Sequence, residues 1–242
     1  MSRSSKIEFW AGVSAFLVIV SALIGMTLWL AKTLVNEDLV PFTGVIIQGE
    51  RQYTADSDVV QVLTQTPVGS FFAADAEYLR QRLETLPWVY SVSVRKEWPS
   101  TLRVFIVEQV PVAIWNGTEL LNQDGERFVG EVERVRESLP KLEGPNPHVA
   151  EVFRQYRDIQ LLLARNNHNI ERFILSERFA TRVWLTSGIE LRLGRESQLE
   201  RVQRFMDLLP TIEMESTKGV AYVDLRYDTG LAVGWHETQP GE

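Results

Sequence analysis

The sequence predicts an α+β protein that begins with a single transmembrane helix and continues into two folded units. Three observations predict this fold class. A run of 23 residues, Phe9 to Ala31, contains no charged side chain. Residues 41–112 carry the patterns of a strand, two helices and two strands, and residues 113–236 carry mainly strand patterns with two helices. Together these patterns indicate a membrane anchor, a small α+β module and a larger strand-rich unit.

The uncharged run is long enough to cross a bilayer. As a helix with about 1.5 Å rise per residue it spans roughly 34 Å, slightly more than the hydrocarbon core. Trp10 and Trp29 lie near its ends, where interfacial aromatic side chains are enriched. A cleaved signal peptide is the alternative, but its apolar core is shorter and ends in small residues, whereas this run keeps the bulky Trp29. We therefore predict a cytoplasmic tail over 1–8 and a retained helix over 9–31.

The charges beside this run favour a cytoplasmic N-terminus. Arg3 and Lys6 precede the run, opposed by Glu8, and few basic residues follow it closely. The formal charge of −7 for the whole chain becomes −8 once these three residues are set aside, so the exported part is expected to be acidic. Within the run, Ser21 and Gly25 are either a helix-packing pair or two ordinary small residues.

The first unit, residues 41–112, predicts the order strand, helix, helix, strand, strand. Val45 to Ile47 form a short apolar strand, and Asp56 and Asp58 can cap the helix that follows. Asp75 opens a second helix, which Pro87 is expected to end. The apolar stripe of this second helix recurs at i, i+4 and i+7, which predicts one buried face. It consists of Leu79, Leu83 and Leu86.

A change to a period of two marks the hairpin that closes the first unit. Two runs with a period of two flank Pro99 and Ser100, which turn the chain. The first alternates apolar with polar residues, and the alternate positions of the second are Arg103, Phe105 and Val107. An antiparallel hairpin with one covered face fits this alternation. The apolar positions of the two runs are Tyr90, Val92, Val94, Leu102, Val104 and Ile106.

The second unit, residues 113–236, contains two helical patterns. One apolar stripe runs from Val149 to Leu163 and ends before Asn166-Asn167. The other runs from Leu199 to Leu209. Pro210 is expected to stop this helix, because proline has no backbone N–H to continue the hydrogen-bond ladder.

Strand patterns surround these helices. Asp124-Gly125 is a tight-turn signal for a hairpin, and Ile189 to Leu193 alternate apolar and polar residues. At the end of the unit, residues 222–227 and 231–235 flank Asp228-Thr229-Gly230. We expect a hairpin turn there, in which glycine supplies a positive φ. On the second arm Leu231, Val233 and Trp235 share one face.

Composition and motifs argue against most enzyme classes. The net charge of −7 disfavours nucleic acid as a partner, and the absence of Cys excludes thiol catalysis, disulfides and Cys-bound metals. The three histidines have no partner at metal-ligand spacing, and no phosphate-binding glycine loop or serine-elbow motif occurs. We therefore expect no catalytic residue, no metal site, no cofactor and no small-molecule substrate.

Two weak enzyme signals have simpler interpretations. Asp228-Thr229-Gly230 matches the tripeptide of aspartic proteases, but those enzymes need two carboxylates that share a proton, and this chain has one copy. A hairpin turn explains it better. Glu126, Glu131 and Glu133 cluster around another hairpin, but their spacing does not specify the carboxylate separation of a glycosidase, and exposed Glu is usually solvated surface.

Binding is the function class that the sequence favours. The last strand of an open sheet is often an edge with unpaired backbone groups, to which another chain can add a strand. Tyr222, Arg226, Tyr227 and Trp235 are residue types that anchor interfaces. From the residues alone, an interface and completion of the unit's own core explain Tyr227 and Trp235 equally well. The polar residues 237–242 are expected to form a disordered tail.

Several blocks of sequence follow one another in an order typical of a bacterial family. In the first unit they are Gly49-Glu50-Arg51-Gln52-Tyr53-Thr54, Leu86-Pro87-Trp88-Val89 and Val92 to Pro99. Val107 to Ala113 and Trp115-Asn116 follow at the junction, and Tyr222 to Gly230 with Val233-Gly234-Trp235 stand at the end. In these blocks the chain resembles the FtsQ/DivIB family of cell division proteins over its whole length after the anchor.

The resemblance implies a single-pass type II protein of the cell inner membrane at the division septum, with a periplasmic POTRA module over 41–112 and a β domain over 113–236. Members of the family are scaffolds rather than enzymes and support septal cell-wall synthesis. The implied partners are FtsB and FtsL, with recruitment linked to FtsK and with FtsW, FtsI and FtsN as further divisome proteins. The alternative is a POTRA-containing envelope assembly or secretion protein that binds substrate strands.

The resemblance also implies a set of partner-binding residues. In the family a strand of FtsB adds to the last strand of the β domain, which corresponds here to Leu231 to Trp235. Arg226 and Arg178 would each pair with a partner carboxylate, and Thr229 keeps the hydroxyl of the more familiar Ser. The implied set is Tyr222, Arg226, Tyr227, Thr229, Gly230, Leu231, Val233, Trp235 and Arg178.

Overall fold

The computed structural model describes residues 3–35, 42–65, 70–135, 137–215 and 219–236. The chain divides into two compact units, Met1–Glu108 and Gln109–Glu242. The tail expected over 237–242 lies outside the described residues, and the domain limits given above stay predictions. The mixture of helices and strands confirms the predicted α+β fold class.

The N-terminal helix α1 runs from Arg3 to Val35, beyond both ends of the uncharged run. Its segment Trp10–Thr33 is long and apolar enough to cross a membrane, and no residue of its most apolar stretch is buried. The hydroxyl groups on this segment donate to backbone carbonyl oxygens three or four residues earlier, at 2.8–3.0 Å, so their polarity is satisfied inside the helix. They belong to Ser14, Ser21, Thr27 and Thr33.

In the first unit, two helices cover one face of a three-stranded sheet. The elements are β1 (Gly44–Gln48), α2 (Asp56–Gln65), α3 (Ala76–Leu83), β2 (Val89–Glu97) and β3 (Thr101–Glu108). The sheet order is β1-β3-β2, with β1 parallel and β2 antiparallel to β3. The predicted order of elements is confirmed. The core consists of Val59, Leu63, Leu79, Leu83, Val89, Val92, Leu102, Val104 and Ile106.

Helix α3 begins as predicted but ends earlier. The Asp75 carboxylate accepts hydrogen bonds from the backbone N–H groups of Glu77 and Tyr78, which makes it the N-cap. The helix ends at Leu83 rather than immediately before Pro87. The Leu86 N–H donates to the Leu83 carbonyl oxygen, three residues earlier, which is a tighter turn than that of an α-helix. Leu86 therefore lies outside the helix, although it packs partly buried against the same core.

The covered face of the β2–β3 hairpin also differs in one position. The alternation of the sequence groups Tyr90 with Val92, but Tyr90 is exposed and Val89 is buried. The reason is a shift of the β2–β3 register between Val89 and Ser91, which moves the alternation by one residue at the start of β2. From Val92 onward the predicted alternation is correct.

The carboxylate of Glu108, at the end of β3, holds the loop that precedes α2. It accepts hydrogen bonds from the backbone N–H groups of Gln52, Tyr53 and Thr54 at 2.6, 3.1 and 2.5 Å. Beside this contact the ring of Tyr53 stacks on Trp88 with a centroid distance of 3.9 Å. A single carboxylate thus satisfies three consecutive backbone donors.

The described residues of the second unit form a nine-stranded sheet with two α-helices. Its elements are β4 (Ala113–Trp115), β5 (Glu119–Leu121), β6 (Arg127–Phe128), β7 (Lys141–Glu143), α4 (Val149–Leu163), β8 (Ile170–Leu175), β9 (Thr181–Leu185), β10 (Glu190–Gly194), α5 (Gln198–Glu215), β11 (Val220–Asp224) and β12 (Ala232–Trp235). The sheet order is β12-β11-β10-β9-β8-β7-β4-β5-β6. The last strand of the chain is therefore at one edge of the sheet.

Helices α4 and α5 bury their apolar faces against the sheet. Val152, Ile159 and Leu163 of α4 and Phe205 of α5 are almost fully buried in this core. The predicted stripe of α4 and the strand over 189–193 are correct. The hairpin signal is also confirmed, since β5 and β6 pair antiparallel. Its Gly125 has a φ of +78° and packs against the Phe153 ring, where a larger side chain would clash.

The prediction that Pro210 stops a helix is wrong. Helix α5 continues through Pro210 to Glu215. Leu209 and Ile212, on either side of the proline, are both buried in the core, and this burial outweighs the loss of one backbone hydrogen bond. Leu199, expected on the buried face, is exposed in the first turn of α5.

The hairpin predicted around Asp228-Thr229-Gly230 is confirmed, since β11 and β12 pair antiparallel, but two details of its turn are wrong. β11 ends at Asp224 and β12 begins at Ala232, so a longer connection joins them. Gly230 has no positive φ, so the conformation of this connection does not require a glycine there. Long-range hydrogen bonds hold it instead, as described next.

Candidate functional site

The candidate site begins with the backbone of β12, the edge strand. β12 pairs antiparallel with β11, and the described residues supply no strand on its other side. The backbone N–H of His236 donates to the Gly219 carbonyl oxygen on β11's side at 3.0 Å. Because backbone groups alternate between the two sides of a strand, Gly234 faces β11, whereas Val233 and Trp235 direct their N–H and C=O groups to the open side.

The inner side chains of this edge belong to the core. Leu231, Val233 and Trp235 are partly buried and pack against the core cluster, as the predicted shared face requires. Part of their apolar surface is therefore already buried within the unit itself. What β12 offers to a second chain is mainly its backbone and the exposed remainder of these side chains.

On the opposite face of the sheet, Tyr222 covers Gly234. The two residues are register partners, and the tyrosine ring lies where a side chain at 234 would project. The guanidinium carbon of Arg192 lies 3.9 Å from the centre of the same ring. Further from the edge, Arg172 and Arg182 both lie 5.3 Å from the ring of Trp184. Stacked arginine and aromatic side chains thus cover this face beside the edge.

Arg204 of α5 binds the connection between β11 and β12 through the backbone of that connection. The Arg204 guanidinium donates through Nη1 to the carbonyl oxygens of Tyr227 and Gly230, at 2.8 and 3.1 Å. This contact fixes both sides of the exposed pair Asp228 and Thr229. The Tyr227 side chain remains 58% exposed, so the connection presents an aromatic ring to solvent beside the edge.

Arg226 is already paired within the chain. Its Nε and Nη2 donate to the two carboxylate oxygens of Asp224 at 2.9 and 2.6 Å. These hydrogen bonds lower the pKa of Asp224, with burial acting in the opposite direction. The Arg226 side chain is 61% exposed while that of Asp224 is 8% exposed. The guanidinium is therefore accessible from solvent, although Asp224 already holds it in place.

Arg178 lies apart from the other candidate residues. It is exposed in the β8–β9 connection, and the described part of the chain gives it no ionic partner. The strand registers put this connection and the β11–β12 connection at the same end of the sheet. Three strand spacings separate the centres of the two connections, so they are roughly 14 Å apart along the sheet. The structure therefore does not bring Arg178 into contact with the edge.

Sequence reasoning missed three residues that shape the edge. Arg204 reaches the β11–β12 connection across more than twenty positions, Asp224 engages Arg226, and Gly234 makes room for Tyr222. No local pattern reveals the first contact. The other two depend on how β11 and β12 are aligned, which the unaided sequence does not give.

The described ranges contain no cluster of three or more His, Asp or Glu residues that could hold a metal ion. A groove of about 580 Å³ lies between α4 and α5, away from β12. Its lining includes Leu161, Leu162 and Leu199. The site at β12 is thus an open edge rather than a cavity.

Comparison with known proteins matches both units. Residues 113–226 match the family model "Cell division protein FtsQ/DivIB, C-terminal", and residues 40–109 match "POTRA domain, FtsQ-type". "Cell division protein FtsQ" of Shewanella oneidensis is 40% identical over 100% of this chain and 92% of that protein. Proteins of the same name from Vibrio cholerae and Escherichia coli are 34% and 35% identical, over 99% and 84% of this chain and 92% and 75% of their own lengths.

Proposed function

The chain belongs to the FtsQ/DivIB family of cell division proteins, and on this premise we propose that it is a non-enzymatic scaffold of the divisome. As a scaffold it would link early and late division proteins and support septal cell-wall synthesis. Recruitment linked to FtsK and contacts with FtsW, FtsI and FtsN belong to the same proposal.

In this proposal α1 anchors the protein in the cell inner membrane as a single-pass type II protein. The segment Trp10–Thr33 supplies the span, and Arg3 and Lys6 before it favour a cytoplasmic N-terminus. Both folded units then lie in the periplasm, at the division septum. The acidic balance of these units suits a soluble, exported part of the protein.

The partner-binding site of the proposal is the open edge of β12. A strand of FtsB, in complex with FtsL, adds to β12 and pairs with the outward backbone groups of Val233 and Trp235. Strand addition of this kind uses main-chain hydrogen bonds for affinity and side-chain contacts for specificity. The observation that carries the proposal is that β12, the last strand of a nine-stranded sheet, has unpaired backbone groups in the described structure.

The side chains around the edge are assigned supporting roles. Tyr227 is more than half exposed and supplies apolar area with a polar tip. Arg226 shares its guanidinium between Asp224 and a partner carboxylate, which contributes mainly to specificity and association rate. Arg178, four strands from the edge, would meet a different part of the partner.

Co-purification of the full chain with FtsB and FtsL tests the proposal, with Tyr227→Ala as the diagnostic variant. Because the Tyr227 ring is mostly exposed, its removal is expected to weaken the complex while leaving the thermal melt unchanged. Trp235→Ala is less specific, because Trp235 also packs against the core. A folded Tyr227→Ala variant that binds as well as the wild type would count against the proposed site.

A second candidate function uses the first unit. β2 is a nine-residue strand at an edge of the three-stranded sheet, as a POTRA-containing assembly or secretion protein would need to hold substrate strands. The family matches over both units favour the division role. Fluorescence localisation separates the two, because a mid-cell band supports division and a uniform envelope signal supports the second candidate.

A further inference from the structure

The hairpin tip of the first unit carries a highly exposed tryptophan. Trp98 lies at the turn between β2 and β3 and is 79% exposed, more than Trp10 or Trp29 on the membrane helix itself. An exposed tryptophan of this kind has an apolar body and one N–H donor, the combination that is enriched at membrane interfaces. Its position in the fold decides whether a membrane is within reach.

The same tip is the end of the unit to which the membrane helix is attached. The backbone N–H of Thr43 donates to the Ser100 carbonyl oxygen at 2.9 Å, and the hydroxyl oxygens of the two residues are 2.6 Å apart. β1 then runs parallel to β3 away from the tip, starting with Gly44 opposite Thr101. The chain therefore enters the unit beside Trp98.

Chain length limits how far this end can lie from the membrane. Helix α1 ends at Val35, and Thr43 follows eight residues later. Eight residues span at most about 29 Å even when fully extended. The tip is thus tethered close to the bilayer surface, whereas the opposite end of β3 is a further seven residues, or roughly 23 Å, away.

A second exposed aromatic ring and an ammonium group lie near the same end. Phe72 is 48% exposed and its ring packs edge to face on Phe71, 5.3 Å away. The Lys96 ammonium donates to the Phe72 and Ala74 carbonyl oxygens at 3.3 and 3.0 Å. Phe71 in turn contacts Phe42, the residue before Thr43, with ring centroids 5.5 Å apart.

We propose that Trp98 and Phe72 form a membrane-contact tip, which inserts into the headgroup region of the bilayer that α1 crosses, on the side of the first unit. Lys96 beside them suits a surface that contains anionic lipid. The contact would fix the orientation of the first unit relative to the membrane in addition to the covalent tether. This inference rests on the membrane anchor of the proposed function, but not on its protein partners.

Nitroxide labels on the full chain in vesicles of phosphatidylethanolamine with a minority of phosphatidylglycerol test this tip. The chain contains no Cys, so each introduced Cys is a unique attachment site. Ser100→Cys reports the depth of the tip while keeping Trp98. Tyr90→Cys, exposed at the opposite end of β2, is the matched control, and Val18→Cys in α1 reports insertion of the anchor.

We expect the ratio of oxygen accessibility to nickel-complex accessibility at position 100 to lie between the high value at position 18, in the hydrocarbon core, and the low value at position 90, in water. Adding Trp98→Ala should shift position 100 toward water, with an unchanged circular dichroism melt, because Trp98 is exposed. The proposed membrane contact would be wrong if the label at position 100 lay in water while the label at position 18 lay in the bilayer. It would also be wrong if Trp98→Ala left the accessibility of the label at position 100 unchanged. An aqueous position 18 would instead refute the anchor, and the inference with it.

Discussion

The Arg204 guanidinium on α5 donates a hydrogen bond to the Tyr227 carbonyl oxygen at 2.8 Å, and the same nitrogen reaches the Gly230 carbonyl oxygen at 3.1 Å. A core helix thereby holds the connection that leads into the edge strand. Since the proposed partner adds to that strand, the position of the edge depends on a residue that the partner does not touch.

Replacing Arg204 should therefore weaken partner binding indirectly. Arg204→Ala removes both hydrogen bonds, and we expect a loss of about 1–3 kcal/mol in the free energy of unfolding together with faster amide exchange over 225–231. Hydrogen exchange by mass spectrometry and a thermal melt measure these changes. Gln203→Ala, on the exposed side of the same helix, is the control and should change neither. Unaltered exchange in Arg204→Ala would show that the contact does not order the connection.

The Asp224–Arg226 pair should make stability depend on acid pH. Hydrogen bonds from Arg226 lower the pKa of Asp224 below its ordinary value of 3.8, so the pair stabilises the fold above that pH. The stabilisation is lost as the pH falls through the lowered pKa. Melting temperatures recorded between about pH 5 and pH 2 should fall more steeply for the wild type than for Asp224→Asn. Parallel pH profiles would contradict this role of Asp224.

The contact of Tyr222 with Gly234 predicts that alanine destabilises the fold at position 234 but not at position 230. A Cβ at position 234 would come within 2.5 Å of ring atoms Cδ1 and Cζ of Tyr222, so Gly234→Ala should cost about 1–3 kcal/mol of stability. Gly230→Ala is the matched control, because among the described residues no atom lies near its Cβ position and its φ is ordinary. It should change stability by about 0.5 kcal/mol or less. Equal urea midpoints for the two variants would refute the packing argument.

The Glu108 carboxylate should stabilise the first unit. Glu108→Ala leaves the backbone N–H groups of Gln52, Tyr53 and Thr54 without their acceptor, and we expect a loss of about 2–3 kcal/mol in the free energy of unfolding. Glu108→Gln keeps one acceptor oxygen and should lose less. Urea unfolding of both variants measures the difference. An Ala variant as stable as the Gln variant would mean that water replaces the carboxylate without cost.

The sequence predicts those parts of the fold in which residues contact one another at fixed spacing. The stripe of α4 and the N-cap at Asp75 are examples, because both depend on neighbours within one helix. The stop at Pro210 failed because burial of Leu209 and Ile212, a tertiary effect, outweighs the local rule. The edge position of β12 is anticipated, but the Arg204–Tyr227 contact is not, since no pattern links residues on a helix and a distant connection.

The central claim is that the open backbone edge of β12 binds the partner, and Val233→Pro tests it most directly. The Val233 N–H points away from β11, so proline there removes a donor from the open side without breaking the sheet's own ladder. Val233→Ala is the control, because it loses side-chain contacts but keeps the donor. We predict that Val233→Pro weakens co-purification affinity for FtsB with FtsL about tenfold or more, whereas Val233→Ala retains most of it. A folded Val233→Pro protein that binds like the wild type would contradict the claim.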